Sequence, residues 1–111
     1  MEYVPDRGDV VWLNFNPQAG REQAGHRPAL VLSPKEYNRK TGLAVMCPMT
    51  TQVKGYPFEV EITTGIQKGV VLSDHLKNLD WRERKVAFKG KAPGSVLKEV
   101  SDKIAALLLL K

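Results

Sequence analysis

The densest run of reactive side chains in this sequence is Glu22-Gln23-Ala24-Gly25-His26-Arg27-Pro28, which places a carboxylate, an imidazole and a guanidinium within six positions. Gly20 and Gly25 bound a polar, irregular stretch, and Pro28 opens an apolar run. The cluster therefore reads as an exposed loop feeding directly into a buried strand. Its groups match metal-free cleavage of RNA. In that reaction the ribose 2′-hydroxyl attacks the neighbouring phosphorus. A base must take its proton, an acid must protonate the departing 5′-oxygen, and a fixed cation must stabilise the doubly negative phosphorane. Arginine suits the last task because its planar fork meets two phosphate oxygens at once. The same residues also read as a plain surface ion pair of Glu22 with Arg27, with His26 a bystander.

Other candidates are more dispersed. Thr50-Thr51 ends one strand and opens a second loop, where hydroxyls could hold a phosphate or simply finish the strand. Lys54, Tyr56 and Phe58 interleave charge with aromatic faces, a pattern that suits splayed single-stranded bases, although Phe58 also reads as core. His75 follows Asp74, which could orient its imidazole. Two histidines and one cysteine are too few nitrogen and sulfur ligands for zinc, and no glycine-rich phosphate loop is present. The expectation is chemistry with no metal and no cofactor. Ser33 precedes a proline and lacks the setting of a serine nucleophile. Seventeen Lys and Arg against twelve Asp and Glu leave +5, a balance that attracts polyanions and equally fits ordinary solvated surface.

These groups must be positioned by short strands. At 111 residues the chain is expected to form one domain, 1–111, with a core that needs neither disulfide nor metal. With 42% hydrophobic and 26% charged residues it matches the globular average, which argues against disorder. No apolar run approaches the ~20 residues of a membrane span, and the first residues lack a signal-peptide pattern. A lone Cys47 cannot form an internal disulfide and reads as inert packing in a reducing cytoplasm. Strands are expected at Val10–Phe15, Pro28–Leu32, Leu43–Cys47 (stopped by Pro48), Phe58–Ile62, Gly69–Leu72 and Arg84–Phe88. One helical turn fits Glu36–Lys40. After Pro93, the apolar stripe Leu97, Val100, Ile104, Leu107 and Leu108 predicts a helix packed on the sheet, its leucine end broad enough to reach a partner subunit. Trp12 and Trp81 read as core or subunit-interface residues. Strands this short favour a small antiparallel barrel.

The sequence resembles the MazF/PemK family of toxin endoribonucleases, in its MazF branch, over nearly the whole chain. The resemblance rests on Tyr3-Val4-Pro5-Asp6, Gly8-Asp9 and Trp12, and above all on Glu22 through Ala29. Leu32-Ser33-Pro34, Tyr37-Asn38, Lys40-Thr41-Gly42, Pro48, Thr50-Thr51-Gln52 and Lys54 through Val60 then follow in the family's order. It implies an SH3-like antiparallel β-barrel with a C-terminal helix, of the CcdB/Kid/MazF kind, assembled as a homodimer. It further implies sequence-specific, ribosome-independent cleavage of single-stranded mRNA to a cyclic or 3′-phosphate and a 5′-hydroxyl, held in check by a MazE-like antitoxin. Catalysis is then expected of Arg27, Thr50 and Glu22, with His26 the competitor of Glu22 as base and Asp74 a possible support. RNA contacts are expected of Arg21, Gln23, Asn38, Lys40, Gln52, Lys54 and Tyr56. One departure stands out: the Kid-like branch has an arginine two positions before its aspartate, and here Leu72 precedes Asp74. A non-catalytic gyrase poison or a plain RNA-binding module on the same barrel is the alternative.

Overall fold

Among the described residues, seven strands and two helices follow from the alternation of apolar residues and the turn residues between them. The computed structural model describes residues 2–15, 25–65 and 67–109. Arg21, Glu22 and Gln23 lie outside the described residues. The strands are β1 (Asp9–Asn14), β2 (His26–Val31), β3 (Leu43–Thr50), β4 (Glu59–Thr64), β5 (Gln67–Leu72), β6 (Lys77–Asp80) and β7 (Ala87–Lys91). The helices are α1 (Lys35–Thr41) and α2 (Gly94–Leu107), and Ser73–His75 form a single 3-10 turn. Every strand pair is antiparallel, and the order β4-β5-β3-β2-β1-β7 makes a curled sheet, with β6 also on β3. The mainly β architecture, with a small antiparallel barrel and a C-terminal helix, is the one the sequence leads one to expect, and the structure shows that barrel as a curled, open half-barrel.

The middle strands are apolar on both faces because both faces are covered. Val10, Leu30, Leu32, Cys47 and Met49 join Val60, Ile62, Val71 and Val100 inside the curl. Val11, Leu13, Ala29, Val31, Ala44 and Met46 build a second cluster around Trp81 on the other side. Consecutive residues of β1 and β2 thus enter different cores, as a period of two demands. β4 keeps one wet face, with Val60 and Ile62 inward and Glu61 outward. Burial pushes the Cys47 thiol up to about 12, so it is packing and not a nucleophile.

Four expectations need correction. Pro48 does not stop β3. On one edge β3 pairs with β2, whereas on the other its partner changes from β6 at Leu43–Met46 to β5 at Met49–Thr50. Pro48 falls between those two partners, where its missing N–H leaves no ladder bond unmade. Second, β6 was not legible in its polar Lys77-Asn78-Leu79-Asp80 sequence. Third, Arg84–Val86 are not strand. The Asp80 carboxylate accepts the N–H groups of Arg82 and Glu83, and Lys85 adopts φ 56°, so the chain turns and β7 starts at Ala87. Fourth, α2 buries only the first part of its stripe. Leu97, Val100 and Ile104 pack into the inner core, but Leu107 and Leu108 are exposed.

Two polar knots fasten the edges of this sheet. Asn38 is fully buried; its amide donates to the Pro5 and Ser33 carbonyls, and its Oδ1 accepts from Ser33 Oγ. Its own carbonyl takes the Trp81 indole N–H at 3.0 Å. Asp9 is equally buried, and accepts from Lys91 Nζ at 2.7 Å, from the Tyr3 hydroxyl and from the Asp6 N–H. Burial alone would raise its pKa, but the hydrogen bonds from Lys91, Tyr3 and Asp6 outweigh it and hold the carboxyl below its ordinary value. The stabilisation is therefore present above the unfolded value of about 3.9 and lost as the pH falls through the folded value. Asp9→Asn should lower the melting temperature at pH 7 and flatten its decline below about pH 4. Thermal melts from pH 7 to pH 2 test this; an unchanged acid slope would contradict it.

Candidate functional site

The loop-to-strand junction that carries His26 and Arg27 is held by backbone pairing and by the stacking of His26 on Trp12. Gly25 turns the chain with φ 79°, and its carbonyl accepts the Phe15 N–H at 2.9 Å. β2 then runs antiparallel to β1, setting His26 opposite Asn14, Arg27 opposite Leu13 and Pro28 opposite Trp12. From the other side, Thr50 ends β3 with only 8% of its surface exposed. Its Oγ1 accepts the Gln52 N–H at 3.1 Å, which closes the turn into the second loop.

Arg27, His26 and Thr50 line one cleft, together with Trp12, Lys68 and Lys89. Its volume is about 170 Å³, below the roughly 300–1,000 Å³ of engulfing small-molecule pockets. A ligand would lie across it as an extended chain. Among the described residues no carboxylate lines this cleft, whereas Arg27, Lys68 and Lys89 bring positive charge. The electrostatics select an anion.

Thr50 also borders a second cleft, lined by Gln52, Lys54, Tyr56, Asp74 and His75. Here the charges are mixed. Glu59 accepts the N–H groups of Lys54 and Gly55 at 3.0 and 2.7 Å, which fixes the loop backbone. The Tyr56 hydroxyl donates to Asp74 Oδ1 at 2.9 Å, and His75 Nε2 lies 3.9 Å from the same oxygen. Burial and the neighbouring Asp74 carboxylate push the Tyr56 phenol well up, so it stays protonated and acts as a donor. Asp74 thus has a visible task in holding Tyr56. Leu72 is buried beside it and has no proton to offer.

The sequence-predicted residues thus divide. Arg27, His26 and Thr50 converge on the first cleft; Gln52, Lys54, Tyr56 and Asp74 converge on the second. Asn38 does not belong to either: its side chain is sealed inside and fully hydrogen-bonded, so it supports α1 and cannot contact RNA directly. Lys40 is exposed on α1, pairs with Glu36 at 3.0 Å and lines neither cleft. Three contributors escaped sequence reasoning. Trp12 is half-buried at the cleft and not core; Lys68 and Lys89 carry no motif. Alternation does put Trp12 on the face opposite Val11 and Leu13, the one signal available.

Comparison with known proteins gives this arrangement a context. Residues 6–108 match the model of the PemK-like, MazF-like toxins of type II toxin–antitoxin systems. The chain belongs to that family. It is 49% identical over 106 residues to the endoribonuclease toxin MazF of Escherichia coli K12, covering 96% of each chain. Among solved structures, MazF of Deinococcus radiodurans superposes with a TM-score of 0.94 at 55% identity, over 98% of this chain and 100% of that one. A MazE–MazF complex from the same organism matches at 0.87 and 49% identity, over 99% and 100% of the two chains.

In this member of the MazF-like family the position of Thr50 depends on Gly69. A Cβ added at Gly69 would sit 2.7 Å from the Thr50 carbonyl oxygen, a backbone atom that cannot swing aside. Gly69→Ala must therefore separate β5 from the end of β3. We expect a loss of about 1–3 kcal/mol in urea unfolding, with amide shifts centred on Thr50 in NMR spectra. Full stability with an unmoved Thr50 would refute the contact.

Proposed function

We propose that this chain is the toxin of a type II toxin–antitoxin pair and that it acts as a sequence-specific, ribosome-independent endoribonuclease on single-stranded mRNA. The observation that carries the reading is the meeting of Arg27 and Thr50 across a cleft lined by cations. The endoribonuclease activity named for the MazF, PemK and ChpB relatives supports it. So does the MazE–MazF pairing of the Deinococcus proteins, which fits a MazE-like antitoxin as the cognate partner. The acting form is a homodimer in the cytoplasm.

The mechanism follows from what each group can do. Thr50, held by its own turn, binds the scissile phosphate beside Arg27. Arg27 stabilises the phosphorane as charge builds on its oxygens and protonates or neutralises the departing 5′-oxygen. The first cleft presents cations, so a proton acceptor has to come from its rim. Glu22 is the candidate: it stands three positions, about 10 Å of chain at most, before the anchored Gly25. His26, exposed on the rim, is the alternative. Attack by the 2′-oxygen on phosphorus, with expulsion of the 5′-oxygen, leaves a 2′,3′-cyclic phosphate and a 5′-hydroxyl. No metal is required.

The test is cleavage of a long unstructured RNA by purified protein in EDTA, with the new 5′ ends mapped. Discrete cuts at one short motif are expected. Arg27→Ala should remain folded and bind RNA but cut at least ~10²-fold more slowly, as when a transition-state donor is lost. Near-normal cleavage by that variant would remove Arg27 from the mechanism. Intact RNA with folded wild-type protein would return the non-catalytic alternative.

The proton acceptor is tested separately. Glu22→Gln should lower kcat by about 10²–10⁴-fold and remove the acid limb of the pH–rate profile. If His26→Asn has that effect and Glu22→Gln does not, the imidazole is the base.

A further inference from the structure

The cleft that holds Arg27 and Thr50 does not end at Lys89. Thr64 and Lys89 also line an adjoining groove, which continues past Thr63 and Gly65 on one side and Gly90 and Lys91 on the other. This groove is the open seam of the half-barrel. β4 and β7 stand at opposite ends of the strand order, and the curl of the sheet brings Thr63–Gly65 and Lys89–Lys91 to the two banks of one groove.

The entrance to the seam carries a distinctive set of side chains. The rings of Trp12 and His26 are parallel within 9°, with centroids 5.4 Å apart. Lys89 Nζ lies 4.6 Å from the centre of the Trp12 ring. Lys68 lines the same opening, and neither it nor Lys89 makes an ion pair among the described residues. Lys91, by contrast, spends its charge on Asp9 at 2.7 Å. A half-buried indole with two unneutralised ammonium groups beside it is poorly accounted for by packing. Aromatic faces that stack bases, next to cations spaced for the backbone, are what single-stranded nucleic acid requires.

Resting on the ribonuclease reading, we infer that the seam entrance is a second RNA subsite, which takes a nucleotide flanking the scissile phosphate: its base stacks on the Trp12–His26 pair, and Lys68 and Lys89 receive the adjacent phosphates. The arrangement explains why Trp12 is left half-open at the cleft and not covered by the core. It also means that substrate length, and not only the cut motif, governs affinity. Stacking of this kind tolerates any base, so the subsite adds grip with little sequence choice.

The experiment compares two RNAs, one containing just the mapped cleavage motif and one extended by four unstructured nucleotides on each side. For wild-type protein, kcat/KM should be at least tenfold higher on the long RNA. Lys68→Ala/Lys89→Ala, both exposed or peripheral positions whose folding is checked by circular dichroism, should bring that ratio close to one. Its salt dependence on the long RNA should also be shallower, by about 0.7 per lost phosphate contact on a single strand. Trp12→Ala should reduce the ratio and Trp12→Phe should restore most of it, because a phenyl face still stacks. A long-to-short ratio that the double variant leaves at the wild-type value overturns the subsite. Failure of wild-type protein to cleave either RNA overturns the ribonuclease reading itself, and the subsite with it. If Trp12→Ala fails to fold, the double variant and its salt slope decide alone.

Discussion

β3 is the strand on which the rest of this structure depends, because it pairs with three others. It runs beside β2 along one edge and exchanges β6 for β5 along the other, with Pro48 at the exchange. That exchange bends the sheet round on itself. A strand with one continuous partner on that edge would have prolonged a flat sheet; here β5 and β4 are carried round towards β7. The end of β3 is thereby delivered, as Thr50, to the place where β2 delivers Arg27. The 2.7 Å approach of Gly69 to Thr50 marks how closely β5 must follow. The proposed catalytic pair is thus a product of sheet curvature. Neither residue gets there by being close in sequence.

The division of charge within the site follows the same logic. Strands are rigid, and their side chains have fixed spacing, so they suit groups that must be in place before charge develops. Arg27, Thr50 and Lys89 are strand residues. A stabilising cation gains most from this preorganisation, since it then pays no reorganisation as the phosphorane forms. A proton acceptor, by contrast, would be neutralised as a base if it sat permanently against three cations. The proposed acceptor, Glu22, comes instead from the sequence that precedes β2. The mixed cleft beyond Thr50 is the counterpart, where Asp74 is occupied by Tyr56 and Glu59 by loop amides.

Much of this was legible in sequence, and the failures have physical causes. The inward strands announced themselves through consecutive apolar residues, and α2 through helical spacing. Arg27 and Thr50, candidates from chemistry and family resemblance, do line one cleft. Asn38 was misjudged because a buried asparagine and an exposed one look alike until the Pro5 and Ser33 carbonyls are seen to converge on it. β6 was invisible because it is polar; its place is set by its ladder to β3 and not by its own side chains. Trp12 reads from sequence as core or subunit interface because tryptophan usually is one or the other, and the structure leaves it half-buried at the cleft. What the alternation cannot show is where along a strand the covering layer ends.

The open seam links stability to function most directly. The ends of the strand order, β4 and β7, are edges that invite pairing with other chains, and proteins commonly blunt such edges with lysine and irregular backbone. β7 does so with Lys89 and Lys91, and with a register shift between Val10 and Val11 in its ladder to β1. β4 turns away at Gly65. Closing the barrel by pairing β4 with β7 would satisfy both edges, but it would seal the groove that continues from the Arg27–Thr50 cleft. Lys89, which guards the edge against another strand and is not neutralised as Lys91 is by Asp9, is well suited to accept a chain of the opposite charge. An extended polyanion brings no backbone N–H ladder, so it can occupy the seam without extending the sheet. The same positive edge thus discourages aggregation and, on the proposed reading, favours RNA, two demands that a closed barrel would not meet together.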